Sequence, residues 1–474
     1  MFDMSPVILW FRRDLRLADH PALTAACATG RPVIPLFIHD EVVAGQGAAP
    51  RFRLGMSVGA LADDLAVFGL ALILRKGTAL DVLRDVIAQT GAAAVYWSRL
   101  YDPVSKDRDV VVKAALKGDG IEVASFAGHL LFEPWTVETK TGGFYKVFTP
   151  MWKSVRGREL PATLPRPGSF TAPDMWPVSD DLADWQMGRD MHRGADVLRP
   201  YCTVGEAAAV ARLDDFIADW VANYQLNRDF PSVDGTSRLS ENLTYGEISP
   251  LTCWHAGWAA LQSGGKADAE IFLKQLVWRE FAYHLAHHTP RIIDQNWKPD
   301  WDNFPWNTDA EHPDVVAWKQ GRTGIPFVDA AMREMYVTGT MHNRGRMIVA
   351  SYLTKHLITD WKIGKAWFED CLIDWDPANN AMGWQWSAGS GPDATPYFRV
   401  FNPVTQLVKF DEMGDYALRW VAEGSAKPSS TARAYFDAVP KGWGLSACMP
   451  YPDPIVDPAV GRRRALAAYQ HRGF

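Results

Sequence analysis

Four segments in the second half of the chain gather residue types that could do chemistry. In Asp234-Gly235-Thr236-Ser237-Arg238-Leu239-Ser240, three hydroxyls and an arginine precede a helix-like stretch. Hydroxyls and backbone N–H groups so placed suit phosphate binding, although a hydrophilic turn with capping residues has the same composition. In Phe272-Leu273-Lys274-Gln275-Leu276-Val277-Trp278-Arg279-Glu280-Phe281, Gln275, Trp278 and Arg279 fall within about one helical turn and can address one site. Arg279 and Glu280 read either as a solvated surface pair or, given their apolar flanks, as buried charges that need partners. In Met341-His342-Asn343-Arg344-Gly345-Arg346-Met347, Asn343 and Arg346 (or Met347) share a helical face while Arg344 points elsewhere. Two arginines so divided could serve one polyanion inside the fold and one outside; ordinary surface basicity is the plainer reading.

The fourth segment, Asp374-Trp375-Asp376-Pro377-Ala378-Asn379-Asn380-Ala381-Met382-Gly383-Trp384-Gln385-Trp386, carries paired aspartates. No histidine or third carboxylate adjoins them, so neither a metal site nor a glycosidase-type pair fits, and no metal is expected. An aspartate facing an arginine, or accepting an N–H from a heterocycle, is the more natural role. Trp384, Trp361 and Trp306 each read singly as core residues. Together they could form a chain of indoles that passes electrons by hopping.

These segments must be held by a framework, and the chain divides into three textures. Apolar runs at Val7–Phe11, Val33–Ile38, Ala71–Leu74, Ala93–Trp97 and Ile121–Phe126 alternate with helical stretches at Leu54–Phe68, Ala79–Gln89 and Lys106–Leu116. That alternation predicts an α/β domain over 1–130, a Rossmann-like parallel sheet with helices on both faces. No G-x-G-x-x-G follows any strand, so the dinucleotide fingerprint is absent. Residues 131–202, rich in proline and glycine, read as an ordered connector. From 203 to 474 the spacing is helical throughout, beginning with one amphipathic helix from Ala207 to Tyr224 and continuing at Ile271–His287, Phe327–Tyr336, Gly345–Ile358 and Lys365–Asp374. A large all-α domain is expected there.

The composition is that of an ordinary globular protein, 47% apolar and 22% charged among 474 residues, which excludes a disordered chain. The start of the chain places its arginines after the apolar run, so it reads as a strand and not as an export signal. No apolar stretch is long enough to span a membrane. The five cysteines are scattered, without C-x-x-C or zinc spacing, and are read as reduced thiols of a cytoplasmic protein. A net charge of −6 requires any nucleic-acid contact to use a local patch. Of 21 tryptophans, 15 lie beyond residue 200, where the four segments are.

Taken together the segments resemble the photolyase/cryptochrome family, in particular the bacterial class I cyclobutane-dimer photolyases. The likeness begins at Val7-Ile8-Leu9-Trp10-Phe11-Arg12-Arg13-Asp14-Leu15-Arg16-Leu17 and includes Tyr145-Lys146-Val147-Phe148-Thr149-Pro150. It continues through Pro396-Tyr397-Phe398-Arg399-Val400-Phe401-Asn402-Pro403 to Tyr451-Pro452-Asp453-Pro454-Ile455-Val456-Asp457. The resemblance implies non-covalent FAD in the helical domain. Tyr224, Thr236, Ser237, Arg238, Leu239 and Ser240 match its phosphate-binding positions. Arg279, Asn343, Arg346, Asp374 and Asp376 match neighbours of its rings and sugar, and Asn380 the residue that faces flavin N5. Phe272 stands at a cofactor-side position where some relatives have tryptophan. Trp384, Trp361 and Trp306 match a chain that photoreduces the flavin.

The resemblance further implies UV-damaged DNA as partner, with Trp278 and Trp386 as walls stacking on a flipped-out dimer. Gln275, Asn343, Arg344 and Met347 complete the expected DNA side. Met347 with Asn343, in place of the histidines that resemble (6-4) photoproduct enzymes, points to cyclobutane dimers. Gln275 departs from the family's usual Glu: an amide accepts and donates but supplies no carboxylate. Gly345 departs from a larger apolar residue and costs helix propensity. The expected reaction is light-driven splitting of cyclobutane pyrimidine dimers by a monomeric carbon–carbon lyase. A cryptochrome-type photoreceptor is the alternative, which Gln275 favours, while Asn380 and a chain end close behind Asp457 speak for repair. An antenna chromophore, methenyltetrahydrofolate or a deazaflavin, is expected against the α/β domain; Val104 and Ser105 do not match the Asn-Glu pair of folate binders.

Overall fold

The structure, a computed structural model, describes residues 4–264, 266–393 and 398–473. Pro396 and Tyr397 of the quoted motifs lie outside the described residues. Five parallel strands, β1 (Val7–Phe11), β2 (Val33–His39), β3 (Ile73–Lys76), β4 (Ala94–Ser98) and β5 (Glu122–Phe126), form one sheet in the order β3-β2-β1-β4-β5. Central β1 shows why its sequence is uniformly apolar. Val7, Leu9 and Phe11 enter one hydrophobic cluster and Ile8 and Trp10 the other, so both faces are buried. β1 pairs Val7 with Val33 of β2 on one side and with Ala94 of β4 on the other. β3 sits two residues later than its apolar run, because pairing to β2 aligns Ile73 with Leu36 and extends to Lys76 opposite His39.

The connector is built more than its composition predicts. Within it, Phe148–Val155 is a helix whose Phe148, Met151, Trp152 and Val155 are all buried, the i, i+3, i+4, i+7 face of an amphipathic helix. Flanking prolines and glycines hide that period. Further on, the Asp180 N–H donates to the Leu74 carbonyl at 2.7 Å, which covers the otherwise open edge of β3.

In the helical half, the stretch expected as one helix to Tyr224 is not one. A helix over Glu206–Asp215 passes into a wider turn at Phe216–Trp220 and a tighter one at Val221–Asn223. These changes of pitch fold Tyr224 back onto Phe216, ring centroids 5.3 Å apart. Likewise the helix Asn343–Ser351 widens at Tyr352–His356, and Asp374 lies beyond the end of the helix Trp361–Cys371. Gly345 is buried, and a Cβ there would stand 3.0 Å from the Ala331 Cβ. The propensity lost at this glycine is therefore exchanged for close approach to the helix Pro326–Thr338.

Sheet domain and helical half are joined by buried charge. Arg53, fully buried on the helix Ala48–Ala66, donates to Glu241 at 3.0 Å, to both oxygens of Glu247 at 3.0 and 2.8 Å, and to the Thr203 carbonyl. The two carboxylates hold this guanidinium charged despite the cost of burial. No helix among the described residues is long and apolar enough to cross a membrane, nor is there a cluster that could hold a metal.

Candidate functional site

The helix Trp361–Cys371 positions the indoles. Trp361, Gly364 and Phe368 lie on its buried face at i, i+3 and i+7. Trp384, from the helix Pro377–Ala388, occupies the space a side chain at 364 would take: a Cβ there would fall 2.1 Å from its ring. Gly364 thus seats Trp384 one helical turn from Trp361. Trp361 donates its N–H to Asn296 at 2.9 Å. Trp306 is brought alongside by its neighbour Asn307, which accepts from Asp360 N–H at 2.9 Å and donates to the Ile358 carbonyl at 2.7 Å. The three indoles therefore converge around the start of one helix. The Trp384 N–H is buried and finds no acceptor among the described residues.

Polar groups surround the same helices. A single Arg346 nitrogen donates to both oxygens of Asp374, at 2.9 and 2.8 Å, which is one of the two roles open to an aspartate of this segment. Asp376 caps the helix that carries Trp384, accepting from the Asn379 backbone N–H at 2.9 Å and from the Asn379 amide at 2.9 Å. Its second oxygen accepts from the Tyr283 hydroxyl, with the Arg13 guanidinium 4.0 Å away. Arg279 is committed to the backbone and ring of His129, at 2.8 and 3.0 Å. Burial, then Arg279 and Arg13, push the His129 pKa well down, so the imidazole stays neutral. Asn380 donates its amide to the Lys365 carbonyl at 3.1 Å. A carbonyl only accepts, so the Asn380 nitrogen must face it and the oxygen is left as the open end.

The 234–240 loop is fixed from behind, Arg212 donating to the Arg238 carbonyl at 2.6 Å. Arg238, exposed and at φ 50°, pairs with Asp234 at 3.1 Å. Ser237 accepts weakly from Leu239 N–H at 3.5 Å, and the hydroxyls of Thr236 and Ser240 have no partner among the described residues. Asn343 is exposed. Tyr224 and Leu239 are buried, and Phe272 packs on Phe216 at 4.9 Å inside the core. Phe272 is thus packed within the core.

An aromatic wall lies nearby. Trp278 stacks face to face on Phe148, centroids 3.7 Å apart and planes 5° from parallel, and keeps partial exposure. Gln275, one turn away, accepts from Arg228 at 3.2 Å and donates to the Ile271 carbonyl. Trp386 is half-buried. Arg344 is not free for an outside phosphate as the sequence led one to expect: it pairs with Asp229 at 2.6 Å and lies over the Phe410 ring. Met347 receives only long contacts from Asn343 and Arg344.

Two family models match parts of the chain, DNA photolyase over residues 7–168 and the FAD binding domain of DNA photolyase over residues 272–471. The deoxyribodipyrimidine photo-lyase of Agrobacterium fabrum is 45% identical over 98% of both chains. This chain belongs to the DNA photolyase family. Arabidopsis thaliana cryptochrome-2, of which the match covers 76%, is 35% identical over 95% of the chain. Among solved structures, a bacterial class III photolyase from Agrobacterium tumefaciens superposes with a TM-score of 0.90 at 44% identity, covering all of this chain and 98% of that one.

Membership in the photolyase family brings an FAD-binding domain, and the residues present fit that group. Free hydroxyls at Thr236 and Ser240 suit its phosphates, and the Asn380 oxygen and the Trp384 N–H are left open for a heterocycle's edge. The sheet domain also borders a cavity of about 300 Å³ at the carboxyl ends of its strands. Arg12 and Arg13 follow β1 there, Asp40 follows β2 and Asp102 lies beyond β4, while Lys365 and Trp375 close it from the helical half. The strand order reverses between β1 and β4, and such switch points are where open parallel sheets bind ligands.

Sequence reasoning overlooked Phe148, Arg228 and Gly364. Phe148 stood in a quoted motif without a role, Arg228 follows Tyr224 at helical spacing, and Gly364 follows Trp361 by three residues.

Proposed function

We propose that the chain is a light-driven DNA repair enzyme that splits cyclobutane pyrimidine dimers, a deoxyribodipyrimidine photo-lyase. FAD, when bound and reduced, supplies the light-driven electron that opens the dimer. Thr236, Ser237, Arg238 and Ser240 hold its phosphates, with Tyr224 and Leu239 as the buried floor. Arg346, fixed by Asp374, and Asp376, fixed by Tyr283 and Asn379, present charge and acceptor groups along the rings, with Arg279 and Asn343 beside them. Asn380 offers its oxygen to a protonated N5 without adding charge. Trp384, Trp361 and Trp306 relay electrons inward to restore the reduced cofactor.

The observation that carries the substrate side is the Phe148–Trp278 stack. An indole backed by a second ring and partly open to solvent is a rigid platform for a base of the flipped-out dimer, base–aromatic stacking being worth roughly 1–3 kcal/mol per base. Trp386 is the opposite wall, Gln275 and Met347 the floor. Arg344 orders this rim through Asp229. The cavity at the strand ends is the place for an antenna chromophore. The 44% identical solved neighbour, a bacterial class III photolyase, supports that subclass in preference to class I.

Gln275 supports the second reading, a photoreceptor without repair. Illuminating the reduced holoprotein with cyclobutane-dimer DNA and, separately, with (6-4) DNA decides between them. Restoration of the dimer DNA alone is expected, and restoration of neither would transfer the chain to the photoreceptor reading.

A further inference from the structure

The helix Phe148–Val155 starts without a cap of its own. Val147 stands where a serine or aspartate would accept from the first N–H groups, and its side chain offers no acceptor. The missing acceptor comes from far along the chain: the Asp393 carboxylate accepts from the Phe148 N–H at 3.3 Å. Phe148 is the ring on which Trp278 lies.

Asp393 is itself held close to Trp386. Gln385 is fully buried, donates its amide to the Ile292 and Gln295 carbonyls at 2.7 and 2.9 Å, and accepts from the Trp297 N–H at 2.7 Å. The end of the helix Pro377–Ala388 is thereby fixed. The chain then turns back over it, the Gly391 N–H donating to the Gln385 carbonyl at 3.0 Å. A Cβ at 391 would stand 3.0 Å from the Trp386 nitrogen, so the return is as close as a glycine permits. Two residues later Asp393 takes a left-handed backbone, φ 51°, a strained conformation that aspartate and asparagine adopt more readily than other side chains.

We propose that Asp393 is a positioning residue that sets the separation of the two stacking walls, and through it the affinity for a flipped-out dimer. This rests on the reading of Trp278 and Trp386 as those walls. The carboxylate acts through Phe148 and not by contact with the dimer. The N–H it accepts belongs to the residue that backs Trp278, so it ties one wall to the loop behind the other. A second bond, from the Tyr145 N–H to His284 Nε2 at 3.0 Å, ties the same connector segment to the helix that carries Trp278. The His284 bond stays on one side of the slot; the Asp393 bond spans it. A slot already held at its working width needs less ordering when the dimer enters, and that difference appears as affinity.

The test is titration of the holoprotein with dimer-containing and undamaged duplexes. Asp393→Gly removes the carboxylate and relieves the left-handed strain, so a residue with only a local role in its loop would tolerate the change. Dimer binding is expected to weaken by on the order of fivefold, with undamaged DNA bound as by wild type. Asp393→Asn keeps an acceptor oxygen and should hold most of the affinity. Because both residues act on one contact, Asp393→Gly combined with Phe148→Leu should lose less than the product of the two single losses. FAD absorbance checks that each variant is folded. Wild-type dimer affinity in Asp393→Gly, an equal loss on both duplexes, an asparagine variant as weak as the glycine one, or fully multiplicative losses would overturn the tether alone. An undiminished preference for dimer DNA in Trp278→Ala would instead remove the stacking walls, and the tether with them.

Discussion

The ring of Phe148 lies flat against the indole of Trp278, 3.7 Å away, joining the connector to the central helix Ala269–His288. Stacked aromatic pairs are worth about 0.5–1.5 kcal/mol beyond the area they bury. Phe148→Leu should therefore weaken binding of dimer-containing DNA by roughly 3- to 10-fold while FAD content stays constant. Titration of damaged and undamaged duplexes checks this, and an equal loss on both would place the stack outside the dimer pocket.

Gln275→Glu places a carboxylate opposite Arg228, where the amide oxygen already accepts at 3.2 Å. The guanidinium should keep that carboxylate ionised and fixed, at a gain of about 0.2–1 kcal/mol for a partly exposed pair. Repair yield per absorbed photon is expected to rise, and Arg228→Ala combined with Gln275→Glu should lose the gain. Equal yields in all proteins, measured with fully reduced flavin, would show that a carboxylate is dispensable here.

Gly364→Ala drives a methyl group into the Trp384 ring, and overpacking of this kind costs about 1–3 kcal/mol. The variant should melt earlier and photoreduce its flavin more slowly, since Trp384 must leave its seat beside Trp361. Photoreduction at the wild-type rate, despite a lowered melting temperature, would mean that the displaced indole still conducts.

Glu280 carries a pH dependence. Burial raises its pKa from 4.5 to about 7, against Arg279 and the N–H groups of Phe132 and Leu131, which lower it. The folded protein therefore binds a proton here that the unfolded chain releases above pH 4.5. This contribution to stability is complete below 4.5, falls as pH rises through 7, and is level above that. The span corresponds to about 3 kcal/mol. Glu280→Gln should flatten the apparent melting temperature between pH 5 and 8; a slope as steep as wild type would assign it to other groups.

Asn380→Asp sets a carboxyl group against the Lys365 carbonyl, which accepts and cannot donate. The new oxygen must take up a proton or turn away, so the charge presented at the flavin changes. Redox titration of the holoprotein should register a shifted midpoint. An unchanged midpoint would remove Asn380 from the cofactor's edge.

How much of this was legible follows from the range of each interaction. The strands were readable because two buried faces demand unbroken apolar runs, and β1 is the example. Arg346 and Asp374 were readable as partners in kind, because an arginine and an aspartate in apolar surroundings must find each other or something similar. Phe148 was not, since nothing in its own segment shows that Trp278 will lie on it. Arg344 was misread for the same reason: Asp229 and Phe410, which turn it inward, belong to distant segments. The break at Phe216 escaped notice because apolar residues keep a nearly helical spacing across it, and the ring it packs on, Phe272, belongs to a distant segment.

Arg53, sealed between Glu241 and Glu247, has a consequence for how the chain could ever be divided. Removing one partner of a buried ion pair typically costs 3–5 kcal/mol, because the stranded charge keeps its burial and loses its compensation. A helical half expressed without the sheet would strand Glu247, whose remaining partners, the Gly205 N–H and the Asn242 amide, are neutral, while Glu241 would keep Arg212. The sheet half would strand the guanidinium. The two halves are thus obligate companions, one cooperative unit in unfolding, and neither is a module that could be lent to another protein.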